Sequence, residues 1–269
     1  MIPKKIHYCW FGGNPIPEKD KKCIESWKKF CPDYEIIRWD ESNYDITKNQ
    51  YMKDAYDAKK WGFVPDYARL DIIYTHGGIY LDTDVEIIKS FDSILDNKAF
   101  MGFEGANDIA PGLAFGAEAN HNGIKTLRDM YNDVSFYNRD GSLNLTPSPT
   151  MATNLLIEHG AVINDKTQTV LGITIYPTEY FAPMNYNTGL LNCTENTFSI
   201  HWYNMSWVDE NYKKWHKKEQ LIARKLGKKK AKRIIRIICI PDRVFTKFKN
   251  LGFKEASKFY INKVKGAKS

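Results

Sequence analysis

The sequence predicts an α/β fold, an open mixed sheet flanked by helices, with a basic helical extension at its C-terminal end. Three observations carry that expectation. The first forty residues alternate strand, helix and strand signals, the order of a doubly wound sheet. A short, wholly apolar strand, Ile79-Tyr80-Leu81, follows Gly77-Gly78 and runs straight into Asp82-Thr83-Asp84, as a buried central strand would. Charge is also divided along the chain: residues 213–269 hold 20 Lys and Arg against 3 acids, while residues 1–212 hold 19 against 29. This asymmetry divides the chain into a body, 1–212, and a basic tail, 213–269, expected to meet different partners.

The elements follow in order. Ile6 to Phe11 reads as the first strand, closed by the turn signal Gly12-Gly13-Asn14-Pro15. A helix is expected from Pro17 to Phe30, anchored by Ile24 and Trp27 and broken at Pro32-Asp33, with Tyr34 to Trp39 as the second strand. Tyr51 to Trp61 looks helical. Pro65 and Asp66 restart the chain into a helix over Tyr67 to Tyr74, capped by Gly77-Gly78. Val85–Ile88 and Phe100–Phe103 read as further strands, Ser142–Pro149 as a surface loop, and Thr169–Pro177 and Phe198–Trp202 as strands. From Lys213 onward the pattern is of basic helices with isoleucine clusters at 234, 235, 237 and 238.

Composition narrows the class. With 269 residues, 43% hydrophobic and 14% aromatic, the chain can bury a sizeable core and is not of the disordered type. No stretch approaches the roughly 20 apolar residues of a membrane span. The opening Met1 to His7 lacks the apolar run of a signal peptide, so the expectation is a cytoplasmic protein. Cys9, Cys23, Cys31, Cys193 and Cys239 show no paired or zinc-like spacing, which suits reduced thiols.

The chemistry concentrates between Asp66 and Asp84. Two carboxylates one residue apart repel unless a cation lies between them, and in a strand the side chains at i and i+2 share a face. Hard oxygen ligands suit Mg²⁺ or Mn²⁺, and such an ion would neutralise a diphosphate leaving group. As a bare tripeptide the motif is also common as a polar turn. Asp66 and Arg69 stand three apart on one predicted helical face. Arg suits phosphate or sugar hydroxyls, while a plain salt bridge is the bland alternative.

Asp66-x-x-Arg69 followed by Gly77-Gly78-Ile79-Tyr80-Leu81-Asp82-Thr83-Asp84 resembles the signature of glycosyltransferase family 32, and is similar to the block in the glucosylating toxins. The opening Ile2 to Gly13, Ser26-Trp27, Pro32-Asp33-Tyr34 and Arg38-Trp39-Asp40 continue the likeness, which is strong to about residue 104 and absent in the tail. The resemblance implies a GT-A type nucleotide-sugar-binding fold (a Rossmann-like mixed sheet), a nucleotide-sugar donor and retention of anomeric configuration. It implies Trp10 on the nucleobase, Asp66 and Arg69 on the donor sugar, and Tyr80 supporting the site. Asp82 would be shared between ribose or sugar and the metal, with Asp84 as the direct metal ligand.

His201 to Trp207 resembles the family's late His/Ser-Trp motif. It makes His201 the candidate third metal ligand and Ser206 and Trp207 a flap over the phosphates. A UDP-sugar is the preferred donor, and a lipid-linked oligosaccharide in capsule or cell-surface polysaccharide synthesis the expected acceptor. The tail run Lys228 to Ile238 mixes basic and apolar residues as an interfacial helix does. An anionic membrane surface is its expected partner, against the alternative of a solvated helical cap. Nucleic acid is not expected, because no recognition motif accompanies the charge. Competing readings are a protein-modifying glycosyltransferase and a non-catalytic sugar-binding module.

Overall fold

The computed structural model describes residues 1–238 except 106, 206, 207 and 209. Strand β1 (Lys5–Cys9) leads into helix α1 (Glu18–Phe30) and strand β2 (Glu35–Trp39), with β1 and β2 paired in parallel. Helices α2 (Gln50–Asp57) and α3 (Pro65–His76) precede β3 (Gly78–Tyr80), which lies parallel to β1 on its other side. Next come β4 (Val85–Ile87), β5 (Ala99–Glu104), β6 (Asp108–Ala110), β7 (Phe115–Ala117), α4 (Asn122–Asp129), α5 (Ser148–Glu158), β8 (Gln168–Val170), β9 (Ile173–Tyr176), α6 (Thr178–Phe181) and β10 (Ser199–His201). Helices α7 (Glu210–Leu226) and α8 (Lys228–Ile238) end the described chain.

The main sheet runs β2-β1-β3-β7-β5-β9-β8, with β6 beside β5, and is flanked by helices. It is the mixed α/β sheet that the sequence predicts. Its first half is parallel and doubly wound, and β7 then inserts antiparallel to both β3 and β5. Buried side chains pack on both faces. Met52, Leu70, Ile73, Phe103, Phe115 and Leu127 belong to one cluster, and Trp27, Leu81, Val85, Phe91, Phe100 and Phe181 to the other. Burial on both faces explains why β3 and β5 read as continuous apolar runs.

Local signals set several boundaries. Asn49 caps α2, its side chain accepting from the Met52 amide at 3.2 Å. Pro65 takes the first turn of α3, where its missing N–H costs nothing. Gly77, at φ 64°, ends α3 and returns its N–H to Ile73.

Three expectations are corrected. The strand expected over Thr169–Pro177 is a hairpin, β8 and β9, because Leu171 and Gly172 (φ 52° and 75°) form a two-residue turn of left-handed conformation. The expected loop over Ser142–Pro149 ends early, since Ser148 begins α5 with a proline in its first turn. The helix foreseen to Trp61 stops at Asp57, just before Lys59 adopts φ 55°. The strand expected at Val85 forms as β4 and pairs antiparallel with β10 as a separate ribbon.

By backbone contacts the chain forms two units, Met1–Tyr186 with Leu190–Trp207, and Asn187–Gly189 with the residues from Val208. In the second, α7 and α8 pack together around His216, Ala223, Ala231 and Ile235, joined through Gly227 at φ 80°. Arg224 Nε donates to the Thr188 carbonyl at 2.7 Å. No described helix is long and apolar enough to cross a membrane.

Candidate active site

Helix α3 is buried along its length from Asp66 to Ile73, apolar and charged residues alike. A buried charge is costly unless paired, and Arg69 is paired twice. Its Nη2 donates to Asp66 Oδ1 at 3.0 Å and its Nη1 reaches Asp82 Oδ2 at 3.4 Å. Its Nε donates to the Pro65 carbonyl, and the guanidinium lies 5.1 Å from the centre of the Tyr80 ring. Burial pushes the Asp66 carboxyl up to about 6 against the pull of Arg69. Burial alone would lower Arg69, but Asp82, Tyr80 and Asp66 hold it above its ordinary value.

Strand β3 ends at Tyr80, so Asp82-Thr83-Asp84 is not strand. It is a tight turn, closed by the Val85 amide donating to the Asp82 carbonyl at 3.1 Å. The two carboxylates therefore converge through turn geometry rather than through the pleat. Asp82 Oδ1 accepts from the Tyr80 hydroxyl at 3.0 Å. Its pKa is raised by burial and, beyond the compensation of Arg69, by the neighbouring charge of Asp84. Asp84 is treated differently. Burial acts against its charge, yet His201 and the Asn204 amide outweigh it and hold the carboxyl below its ordinary value.

His201, at the end of β10, sits between two acids. Nε2 is 3.2 Å from Asp84 Oδ1. Nδ1 is buried and 3.4 Å from Glu104 Oε1 without the alignment of a hydrogen bond. Burial works against the imidazolium, but Asp84 and then Glu104 push the pKa up to about 10. Beyond His201 the backbone passes through two left-handed residues, Tyr203 (φ 52°) and Met205 (φ 48°). Between them the Asn204 amide donates to Asp84 Oδ2 at 2.8 Å.

These parts open on a cleft of about 390 Å³ lined by Trp10, Trp61, Arg69, Asp82, Asp84 and His201, among others. Trp10 lies just past β1, its Nε1 donating to the Asn14 carbonyl at 2.6 Å. The Trp61 ring covers Gly12 so closely that a Cβ there would meet it at 2.8 Å. Asp66 and Tyr80 are buried behind this wall rather than part of it.

Two carboxylates on one cleft fit a hard divalent cation whose other positions are filled by water and phosphate oxygens. Among the described residues, no group of three His, Cys, Asp or Glu side chains is arranged to hold a metal ion. His201 stands as a charged partner of Asp84, and it would have to lose its proton to become a ligand. Ser206 and Trp207, the expected flap, lie outside the described residues.

Sequence reasoning missed four participants. Gly112 accepts the Asp82 amide at 3.2 Å through its carbonyl and leaves room for Asp82 and Arg69. Trp61 lines the cleft. Asp20 and Asn204 hold the acidic turn from behind. Only Asn204 carried a signal, its place inside the 201–207 motif.

The chain is similar to known proteins over part of its length. Residues 17–101 match the family described as glycosyltransferase sugar-binding region containing DXD motif. Inositol phosphoceramide mannosyltransferase 3 of Schizosaccharomyces pombe is 37% identical over 108 residues, 37% of this chain and 29% of that protein. Mannosyl phosphorylinositol ceramide synthase SUR1 of Saccharomyces cerevisiae is 31% identical over 105 residues, 38% of this chain and 27% of its own length. These matches thus span less than a third of either relative. Among solved structures, the PaToxG glycosyltransferase aligns at a TM-score of 0.46 and 21% identity, covering 58% of this chain and 68% of that one. Residues 17–101 are thus similar to the glycosyltransferases whose sugar-binding region contains the DXD motif, a motif that reads Asp82-Thr83-Asp84 in this chain.

Proposed function

We propose that the chain is a metal-dependent, retaining hexosyltransferase using a nucleoside-diphosphate sugar, preferably UDP-linked, and a lipid-carried glycan acceptor. The observation that carries this reading is one cleft joining Asp82, Asp84, the buried guanidinium of Arg69 and the indole of Trp10. Asp82 and Asp84 would hold Mn²⁺ or Mg²⁺, which when bound would supply neutralising charge for a diphosphate leaving group. Asp84, with its lowered pKa, stays ionised at any working pH and offers the firmer oxygen ligand. Asp82, braced by Tyr80 and Arg69, is shared between the cation and the donor's ribose or sugar.

Arg69 lines the cleft, and Asp66 fixes its orientation by accepting from Nη2. Donors held in place before reaction stabilise developing charge without reorganisation. Trp10 offers a flat face to the nucleobase, and Trp61 narrows the same cleft against water. Retention follows attack on the face the diphosphate leaves, with a phosphate oxygen taking the acceptor's proton. No carboxylate is assigned as a nucleophile.

Relatives named as inositol phosphoceramide mannosyltransferases support an acceptor built on a lipid. The role in view is capsule or cell-surface polysaccharide synthesis. Exposed Leu221, Leu226, Ile237 and Ile238 among the lysines of α7 and α8 support docking to an anionic membrane, at its cytoplasmic face.

The deciding experiment is hydrolysis of a panel of nucleotide sugars with and without Mn²⁺, comparing wild type with Asp84→Ala. At least one donor is expected to turn over with Mn²⁺, and the variant to lose about 100-fold or more. No binding and no turnover of any donor would leave the sugar-binding module as the better reading. Lipid-linked and peptide acceptors offered side by side separate glycan from protein modification, and the anomeric proton of the product reports retention.

A further inference from the structure

The buried acid on α1 has no role in the donor chemistry described so far. Asp20 is 1% exposed, in the first turn of a helix whose neighbouring acid Glu18 lies open to solvent. An acid there would satisfy the helix dipole equally well from the surface. Its burial instead places it behind the acidic turn. Oδ2 accepts from the Thr83 hydroxyl at 3.0 Å, and Oδ1 from the Asn204 side-chain amide at 2.8 Å.

Those two partners flank Asp84. Thr83 is the middle residue of the acidic triplet. Asn204 uses its side chain on Asp20 and its main-chain N–H on Asp84 Oδ2, at 2.8 Å. The Trp202 amide donates to the Asp84 carbonyl at 3.0 Å. One carboxylate thus ties together segments 63 and 184 residues away in sequence. Charge-assisted hydrogen bonds of this kind are short and directional, and a buried set of them fixes one geometry.

We propose that Asp20 is a positioning residue, which through Thr83 and Asn204 clamps the 202–204 segment onto Asp84 and so sets where that carboxylate faces the cleft. The proposal rests on the reading of Asp84 as a cation ligand for its functional consequence, but the clamp itself is a statement about geometry. Asp20 does not line the cleft.

Two readouts on the full chain test it. The first is amide hydrogen exchange without any ligand, in wild type, Asp20→Asn, Asp20→Ala and Ser26→Ala. Ser26 ties the same helix to strand β4 by accepting from the Ile87 amide, away from the clamp. Asp20→Ala is expected to speed exchange at the Asn204 and Trp202 amides at least tenfold. The Ile88 amide, bonded to Phe198 at the other end of the ribbon, should be unchanged. Asp20→Asn, which keeps one acceptor, should fall between. Ser26→Ala should spare Asn204 and Trp202.

The second readout is the half-saturating Mn²⁺ concentration for UDP binding, followed by thermal shift. It is expected to rise about tenfold in Asp20→Ala and to stay at the wild-type value in Ser26→Ala. Unchanged exchange at Asn204, or equal acceleration at Ile88, overturns the clamp and makes Asp20 an ordinary element of the fold. Failure of wild type to bind UDP and Mn²⁺ overturns the functional reading instead, while the exchange pattern still decides the clamp.

Discussion

Replacing Gly112 by alanine adds one methyl group against Asp82 and Arg69, two side chains that line the cleft. The Cβ would stand 2.8 Å from Arg69 Nη1 and closer still to Asp82 Oδ2, where ordinary contact begins at 3.4 Å. Gly112 does not have the left-handed backbone that favours glycine, so the conflict is one of space alone. The guanidinium must retreat by about 0.6 Å, and the carboxylate by more. A misplacement of roughly 1 Å at reacting groups costs about 100-fold in rate. The overpacking itself costs about 1–3 kcal/mol, so the protein should still fold. The assay is Mn²⁺-dependent donor hydrolysis beside a thermal melt. The expected result is a loss of about 100-fold in kcat/KM with a cooperative transition retained. Activity within threefold of wild type would show that Asp82 and Arg69 need not occupy their observed places.

Three further outcomes follow from the same structure. Arg69→Met strands the carboxylates of Asp66 and Asp82 in a buried site and should cost about 3–5 kcal/mol, read as a lower urea midpoint, with donor binding lost. His7 is fully buried, accepts from Trp39 Nε1 at 3.1 Å and lies 2.9 Å from the Gly77 carbonyl, the pairing of a neutral imidazole. Burial lowers its pKa from 6.5 to about 4. Its contribution to stability is therefore complete above pH 6.5 and lost as pH falls toward 4, because only the unfolded chain takes up the proton in that window. His7→Asn, which keeps an acceptor for Trp39 Nε1 but does not reach the Gly77 carbonyl, should be less stable at neutral pH and should flatten the loss between pH 6.5 and 4 by about 3 kcal/mol, measured by urea unfolding across that range. Binding to anionic vesicles should weaken steeply with salt and vanish when residues 213–269 are removed. Binding that survives the deletion would refute the membrane role of the tail.

The parts of the site legible in the sequence were those close together along it. Asp66, Arg69, Tyr80, Asp82 and Asp84 fall within nineteen residues, on one helix, one strand and one turn, so local pattern places them together. The first three strands and helices α1 and α3 were legible for the same reason, each having a Gly or Pro close to one end. The rest depends on tertiary pairing. Nothing about Asp20 in a lysine-rich helix start announces that it faces inward. Gly112 is special only because Arg69 and Asp82 happen to converge on it. Strands β6 and β7 have three residues each, too short for a period to show. The triplet Asp82 to Asp84 was legible as a carboxylate pair, with strand and turn both open as its backbone, since an apolar strand gives no sign of where its pairing stops.

The antiparallel ribbon of β4 and β10 has a consequence for biosynthesis. Asp84 receives its amide donor from a residue 120 positions later, so a growing chain has the acidic triplet long before it has that contact. Contacts of such separation form late and slowly. A nascent chain should stay unable to hold a nucleotide sugar until residue 204 has left the ribosome. A fragment cut to residues 17–101 would carry the motif and still lack the donor that completes it.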